Sequence, residues 1–231
     1  MTRIDRVVVA IPARDEEQRL PAALAAVRAA VGRCAVPVVV VVAADACTDR
    51  TAELAAGEGA LVVRSSAGRV GGARAAAVRA ALTTDGPAAA RTWIASTDAD
   101  SVVPADWLAV HLEHAERGTD LLRGAVRPDP AGLTPAQLRR WLALHPPTER
   151  HAHVHGANLG VTAEAYLAAG GFPDVAVQED VLLVRAVLAR GGRVDSTASA
   201  PVVTSARPRS RTEGGFATYL RTRVLPAPAA T

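Results

Sequence analysis

The chain has 231 residues, of which 49% are hydrophobic and 21% charged, and these values fit one sizeable globular domain. All 26 basic side chains are arginines, and the absence of lysine excludes Schiff-base chemistry and P-loop phosphate binding, which both require a lysine. A net charge of only +3 and an aromatic content of 3% argue against nucleic acid as the main partner, because neither a dense basic patch nor rings for base stacking are present.

The first half alternates short Val-rich runs with Ala- and Leu-rich helical patterns. The predicted strands are Val7–Ile11, Pro37–Ala43, Leu61–Arg64 and Thr92–Ser96. The predicted helices are Gln18–Val31, Thr48 to about Gly57, Val70–Leu82 and Ala105–Arg117. Apolar strands that alternate with helices indicate a mostly parallel sheet covered on both faces, with ligands bound at the carboxyl ends of its strands. The loops that follow these four strands therefore form the predicted ligand-binding edge.

The second half is less regular. The predicted strands are Leu121–Val126 and Arg193–Thr197, and the predicted helices are Thr134–Leu144, Ala163–Ala169 and Asp180–Arg190. His145 to His155 is a predicted loop rich in proline and histidine, and the Ala- and Pro-rich residues after Pro226 form a predicted flexible tail. We find no internal repeat and no linker between the halves, so the sequence predicts one domain.

The loop after the fourth predicted strand contains two carboxylates, Asp98 and Asp100. Because they are one residue apart at the end of a buried strand, they point roughly the same way, and two close carboxylates repel each other unless a cation lies between them. Hard oxygen ligands favour Mg²⁺ or Mn²⁺, which also takes substrate phosphates as ligands. The structural alternative is a solvated turn in which Asp98 caps a helix; the position at the ligand-binding edge favours the metal site.

The loops after the first two predicted strands carry further polar groups. Pro12 to Arg14 would form one wall of a nucleotide pocket, whereas Asp15 is equally suited to cap the helix that follows. Asp45 is placed to accept a hydrogen bond from a base or ribose. Asp49 lies in the first turn of the next predicted helix, and this position favours a structural capping role.

A glycine-rich segment, Gly68 to Arg74, opens the third predicted helix. Its glycines would let the backbone approach a phosphate, and the helix N-terminus adds a favourable dipole. Arg74 could pair with a diphosphate. The segment does not match a GxGxxG loop, so this indication is weak when taken alone.

Seven short motifs follow one another along the chain. They are IPARDEE (Ile11–Glu17), ADACTDRT (Ala44–Thr51), GGAR (Gly71–Arg74), TDADS (Thr97–Ser101), GAN (Gly156–Asn158), GGF (Gly170–Phe172) and QED (Gln178–Asp180). In this order they resemble glycosyltransferase family 2, whose members have the GT-A fold. The resemblance covers residues 7–194. It implies a single GT-A-like, mostly parallel α/β domain over residues 1–225, with a nucleotide-binding half at about 1–101, an acceptor-binding half at about 102–225 and a flexible tail at 226–231.

The resemblance implies a role for each matching position. The donor-binding residues would be Pro12, Ala13, Arg14, Glu16, Asp45, Arg74 and Asp98. Asp100, together with Asp98, would bind the Mn²⁺ or Mg²⁺ ion. Asp180 would be the general base of an inverting reaction, with Glu179 orienting it or contacting the acceptor. Asn158, Gly171 and Phe172 would border the acceptor site.

Some positions depart from the family pattern. The usual acidic pair of the second loop is Ala44-Asp45, and the chain has no histidine after His155 to serve as a late metal ligand. The cluster His151, His153 and His155 allows a zinc site, although an acceptor-side loop or plain solvent exposure is favoured. The basic stretch Arg207–Arg211 could be a mobile loop that closes on the diphosphate, or equally a solvated tail.

The resemblance implies metal-dependent transfer of a sugar from a nucleotide-sugar, by family frequency a UDP-sugar, to an acceptor hydroxyl. Inversion is the working hypothesis, and retention stays open. One alternative is a non-catalytic nucleotide-sugar-binding protein or partner subunit, which the missing acidic partner of Asp45 and the missing late histidine keep open. A nucleotidyltransferase is disfavoured, because the first loop is acidic and the chain lacks lysine.

The remaining features concern location. Cys34 and Cys47 have no zinc spacing and suit a reducing cytosol. The N-terminus shows no signal peptide, and the longest apolar run, Ala35 to Ala44, is about half of what a membrane helix needs. We therefore expect a cytoplasmic protein without a transmembrane segment, for which peripheral contact with a membrane stays open.

Overall fold

The computed structural model of the protein describes residues 3–83, 88–146, 148–207 and 216–224. The strands are β1 (Arg6–Ala13), β2 (Val38–Asp45), β3 (Leu61–Ser65), β4 (Thr92–Ser96), β5 (Ser101–Val102), β6 (Leu121–Pro128), β7 (Leu159–Thr162) and β8 (Val194–Thr204). The helices are α1 (Leu20–Val31), α2 (Thr51–Gly57), α3 (Val70–Leu82), α4 (Trp107–Glu116), α5 (Pro135–Leu144), α6 (Ala163–Ala168), α7 (Glu179–Ala189) and α8 (Phe216–Tyr219). The predicted tail at 226–231 lies outside the described residues, as does the part of the basic stretch beyond Arg207.

All eight strands form one sheet with the order β3-β2-β1-β4-β7-β6-β8-β5. The first four strands in this order, β3, β2, β1 and β4, pair in parallel, as predicted from the alternation of strands and helices. β7 is antiparallel to both of its neighbours, β4 and β6, whereas β6 and β8 pair in parallel. The α/β class is confirmed, and the carboxyl ends of β1, β2, β3 and β4 meet at one edge of the sheet.

The central strand β1 is buried on both faces, because its residues alternate between two hydrophobic layers. Val7 and Val9 pack with α1 and α4 on one side of the sheet, through Leu24 and Trp107 among others. Val8 and Ala10 pack on the other side with α3, α6 and α7. A strand covered on both faces has a continuous apolar sequence, which explains the run at Val7–Ile11.

The structure corrects several predicted element boundaries. Helix α1 begins at Leu20 rather than Gln18, and Asp15 does not cap it, because its carboxylate accepts hydrogen bonds from the backbone N–H and hydroxyl of Thr48. Thr48 therefore does not cap α2, which begins at Thr51, where Asp49 accepts from the Thr51 N–H at 3.0 Å. β8 is longer than predicted and runs to Thr204.

Strand β7, helix α8 and the short strand β5 were not predicted. β7 has only four residues and includes Gly160, so it lacks the long Val-rich run that identified the other strands. None of the helices within the described ranges is both long and apolar enough to cross a membrane.

Candidate functional site

A cavity of about 440 Å³ lies at the carboxyl ends of β1, β2 and β4. The predicted donor-binding residues that line it are Pro12, Ala13, Arg14, Glu16, Asp45, Arg74 and Asp98. The predicted metal ligand Asp100 and the predicted catalytic residues Glu179 and Asp180 line it as well. Topology brings them together: the loops after β1, β2 and β4 meet at one edge, and helix α7 begins beside them.

Arg74 connects the loop after β4, which carries Asp98, with the start of α7. It projects from α3, its side chain is only 3% exposed, and its guanidinium donates one hydrogen bond to Asp98 and another to Glu179. Burial opposes the charge on Arg74, but the charges of Asp98, Glu179 and Asp180 outweigh it and raise the pKa of the guanidinium. Arg74 is therefore a permanently charged group that holds a donor-side carboxylate and the start of α7 in place.

Two glycines near Arg74, Gly156 and Gly71, lie where no side chain would fit. A Cβ at Gly156 would lie 2.2 Å from Nη1 of Arg74, and one at Gly71 would lie 2.0 Å from the carbonyl oxygen of Pro173. Gly68 is the one glycine of the segment that lines the cavity, and its N–H donates to Asp45 at 3.2 Å. Close packing of α3 against the segment before α7 thus accounts for Gly71, which was predicted to allow approach of a phosphate.

The carboxylate of Asp180 is held by two backbone groups. Oδ2 accepts from the N–H of Gly156 at 2.7 Å, and Oδ1 accepts from the N–H of Val181 at 2.7 Å. Gln178, the residue just before α7 and two positions before Asp180, has a left-handed backbone with φ of 65°, a conformation that costs a non-glycine residue energy and often marks functional sites. Burial raises the pKa of Asp180, although Arg74 and the two N–H groups oppose the shift, so this carboxylate is more basic than usual.

Asp100 and Glu16 share a second arginine, Arg207, which follows β8. Nη1 of Arg207 lies 2.6 Å from Oε1 of Glu16, and Nη2 lies 3.3 Å from Oδ2 of Asp100. Burial and the charge of Asp98 raise the pKa of Asp100 to about 6, although Arg207 lowers it. The sequence left Arg207 undecided between a solvated tail and a loop near the diphosphate; the structure places its side chain against the site.

The chemistry of Asp98 and Asp100 fits a divalent cation. Both are oxygen donors that face one cavity, Asp98 with a third of its side chain exposed, and Asp100 is buried enough to need a proton or a cation nearby. Mg²⁺ and Mn²⁺ bind through one or two carboxylates and complete their coordination with water and phosphate.

A separate group consists of Asp15, Cys47 and Asp49, whose ligand atoms lie within 4.8 Å of one another. Each already has a partner: Asp15 accepts from Thr48, Asp49 accepts from the backbone of Glu17 and Thr51, and the Cys47 thiol donates to the carbonyl of Ala13. These bonds tie the loops after β1 and β2 together, which is a structural role.

The predicted acceptor-binding residues Asn158, Gly171 and Phe172 are not among the residues that line the cavity. Asn158 is 1% exposed, and its Oδ1 accepts from Trp107 while its Nδ2 donates to two backbone carbonyls. Phe172 is buried beside Tyr166, and the φ of 75° at Gly171 serves the turn that brings them together. The structure therefore supports packing roles for all three, and the GAN turn positions Gly156 rather than presenting Asn158.

Two histidines and two aromatic residues line the cavity instead. His153 and His155 line the cavity together with Phe216 and Tyr219 from α8. Burial, followed by the charges of neighbouring histidines, lowers the pKa of His155 to about 3, so the ring is neutral at pH 7. Among the residues that the structure describes, these imidazoles do not form a group of three that could share one metal ion, which counts against the zinc alternative.

The chain is similar in sequence and in fold to known proteins. The sequence model of glycosyl transferase family 2 matches residues 8–165, and a comparison with curated protein sequences finds no match. The solved structure of TarS from S. aureus is similar over 89% of this chain and 61% of its own, with 14% identity and a TM-score of 0.63. The mannosyltransferase PcManGT from Pyrobaculum calidifontis, solved with GDP-Man and Mn²⁺, is similar over 90% of this chain and 59% of its own, with 20% identity and a TM-score of 0.64.

Glucosyl-3-phosphoglycerate synthase from Mycobacterium tuberculosis is also similar, over 90% of this chain and 73% of its own, with 18% identity and a TM-score of 0.54. Identities this low show the fold alone, which is the GT-A fold. The chain spans about three fifths of the TarS and PcManGT chains that it matches.

Proposed function

Because the chain belongs to glycosyl transferase family 2, we propose that it transfers a sugar from a nucleotide-sugar to a hydroxyl group of an acceptor. The observation that carries this proposal is the convergence of Asp98, Asp100 and Asp180 on one cavity of about 440 Å³. That volume lies within the range of small-molecule and cofactor sites.

The donor would lie against the loops after β1, β2 and β4. Asp45 has a carboxylate in the cavity wall that suits a ribose hydroxyl or a base N–H, and Pro12 to Arg14 form the adjacent wall. TarS has been solved with UDP-GlcNAc and PcManGT with GDP-Man, so both uracil and guanine are donor bases to test. We favour a UDP-sugar for this chain.

Asp100, with Asp98 beside it, would hold the divalent ion. A bound Mn²⁺ or Mg²⁺ would supply positive charge for the diphosphate as it leaves. The buried carboxylate of Asp100 favours such an ion, because a cation compensates the loss of solvation that burial imposes on it.

Asp180 would be the general base. It accepts the proton of the acceptor hydroxyl while that oxygen forms a bond to the anomeric carbon and the bond from this carbon to the diphosphate breaks, which inverts the configuration. The bonds from Gly156 and Val181 fix the carboxylate, and each oxygen retains a lone pair for the incoming proton. Its raised pKa makes it a stronger base than an exposed aspartate.

The acceptor would approach Asp180 from the side of His153, His155 and Tyr219. Neutral imidazoles can donate and accept hydrogen bonds, and aromatic rings offer flat apolar faces. This wall therefore suits a molecule that carries hydroxyl groups.

The expected effect of Asp100→Asn is loss of metal-dependent UDP binding with the fold intact. An asparagine side chain keeps the shape but removes the negative charge that a divalent ion requires. The measurement is a thermal-shift screen of UDP, GDP and their sugar conjugates with and without Mn²⁺, since a ligand of the folded state raises the melting temperature. Asp106→Asn, which changes an exposed aspartate at the start of α4, is the matched control.

Unchanged Mn²⁺-dependent binding in Asp100→Asn would rule out the metal assignment. If the wild-type protein binds a nucleotide-sugar but releases no nucleoside diphosphate with any hydroxyl acceptor or water, the non-catalytic binding protein becomes the better explanation. Binding and turnover together support the transferase.

A further inference from the structure

Arg207 lies in the candidate metal site. Its guanidinium bridges two carboxylates that come from different loops, Glu16 after β1 and Asp100 after β4. The side chains of these acids are only 6% and 11% exposed, and that of Arg207 is 20% exposed. The bridge is thus shielded from solvent, where ion pairs are screened less than at the surface.

The fold fixes this arrangement through the end of β8. Ser101 pairs with Thr204 in the sheet, and the Ser101 hydroxyl donates to the Thr204 hydroxyl at 2.9 Å. The backbone N–H of Ser205 donates to the carbonyl of Asp100 at 3.2 Å. The chain that carries Arg207 is therefore attached to the Asp100 loop just before Arg207 reaches across to Glu16.

Each oxygen of the Asp100 carboxylate has a neighbour from β8 or the residues after it. Oδ2 faces Arg207 at 3.3 Å, and Oδ1 faces the hydroxyl of Thr204 at 3.5 Å. A divalent ion binds oxygen at about 2.0–2.2 Å and repels a guanidinium that shares the same oxygen. The arginine and the ion therefore compete for Oδ2.

We propose that Arg207 is an internal counter-ion of Asp100, so that a divalent cation must displace its guanidinium to bind there. This inference rests on the proposed role of Asp100 as a metal ligand. It explains how two buried carboxylates are compensated by a charge that belongs to the chain. It also makes metal binding without nucleotide weak, because the ion has to compete with a charge that belongs to the chain.

The test is Mn²⁺ affinity of the nucleotide-free protein, measured from the free Mn²⁺ signal in electron paramagnetic resonance. Arg207→Gln is expected to bind Mn²⁺ more tightly than the wild type, on the order of tenfold to a hundredfold, which corresponds to removal of one partly buried ion pair. Arg207→Lys keeps the positive charge but has a single nitrogen in place of the two that contact Glu16 and Asp100. Its gain in Mn²⁺ affinity is therefore expected to be smaller.

Two controls separate this effect from general electrostatics. Arg69→Gln removes one positive charge from the wall of the same cavity, where Arg69 pairs with exposed Asp174 at 3.6 Å, and measures the nonspecific gain. The double variant Arg207→Gln/Asp100→Asn is expected to lose the gain, since the extra affinity depends on Asp100. Melting temperatures of all variants establish that each one is folded.

An Mn²⁺ affinity of Arg207→Gln that is unchanged, lower than wild type, or no higher than that of Arg69→Gln would overturn the inference. A gain that persists in the double variant would overturn it as well, because the ion would then bind elsewhere. UDP binding with Mn²⁺ in the wild-type protein is measured separately: its absence would count against the proposed donor site and would leave the competition at Asp100 intact.

Discussion

Asp180→Asn is expected to lower the rate of sugar transfer by about 10²–10⁴, the range typical of losing a general base, while binding of the donor stays near the wild-type value. The carboxylate lines the cavity from the start of α7 and accepts from the N–H of Gly156, which follows His155 in the chain. Asparagine still accepts one backbone N–H through its oxygen, but it cannot take the proton of the acceptor hydroxyl. The measurement compares UDP release under saturating donor with UDP affinity in the same variant.

The matched control for this variant is Asp174→Asn, which removes one negative charge from the exposed rim near the same helix. Asp180 also accepts two backbone hydrogen bonds, so melting temperatures must show that the variant is folded. A transfer rate close to the wild-type value would remove Asp180 from the mechanism. Loss of UDP binding together with transfer would assign Asp180 to the donor site instead.

The pH dependence of transfer gives an independent check on the base. Asp180 must be ionised to accept a proton, and burial raises its pKa above the ordinary 3.8 of an aspartate. The rate is therefore expected to fall as the pH is lowered through that raised value. Because Asp100 has a pKa of about 6, donor binding has to be measured at each pH, so that loss of metal is not mistaken for protonation of the base. A profile whose acid limb is unchanged in Asp180→Asn would contradict the assignment.

The sequence alone predicted the features of the fold and of the site that follow from local patterns along the chain. The run Val7–Ile11 is apolar on every residue because both faces of β1 are covered, and the loops after β1, β2 and β4 meet because parallel strands end at one edge. Asp98 and Asp100 could be placed from those two facts alone. Asp180 could not, since only the family resemblance linked the start of α7 to that edge.

The rest depended on contacts between residues far apart in the chain. Arg74 was predicted to pair with a diphosphate, and the sequence did not show that Asp98 and Glu179, which lie 24 and 105 positions further on, accept from its guanidinium. Asn158 belongs to a conspicuous motif, but Trp107 and the backbone carbonyls of Ala125 and Ala200 use its polar atoms. Arg207 bridges Glu16 and Asp100 only because β8 runs beside β5, and β5 has two residues. Spacing along the chain contains no information about such pairs.

Arg74→Met is expected to lower the free energy of unfolding by about 3–5 kcal/mol, because it leaves Glu179 as a buried charge without a partner. The side chain of Glu179 is 6% exposed, and burial already raises its pKa even while Arg74 opposes the shift. Methionine fills a similar volume, so a cavity accounts for only a small part of the loss. Urea unfolding of the variant and the wild type measures the difference.

Two comparisons establish that the buried charge is the cause. Arg69→Met breaks an exposed pair with Asp174 and is expected to cost at most about 1 kcal/mol. Arg74→Met/Glu179→Gln is expected to recover part of the stability, because the uncompensated carboxylate is gone. In Arg74→Met itself, Glu179 binds a proton more readily in the folded than in the unfolded chain, so the variant should regain stability as the pH falls. A loss no larger than that of Arg69→Met, with no recovery at low pH, would show that Arg74 does not stabilise the centre of the site.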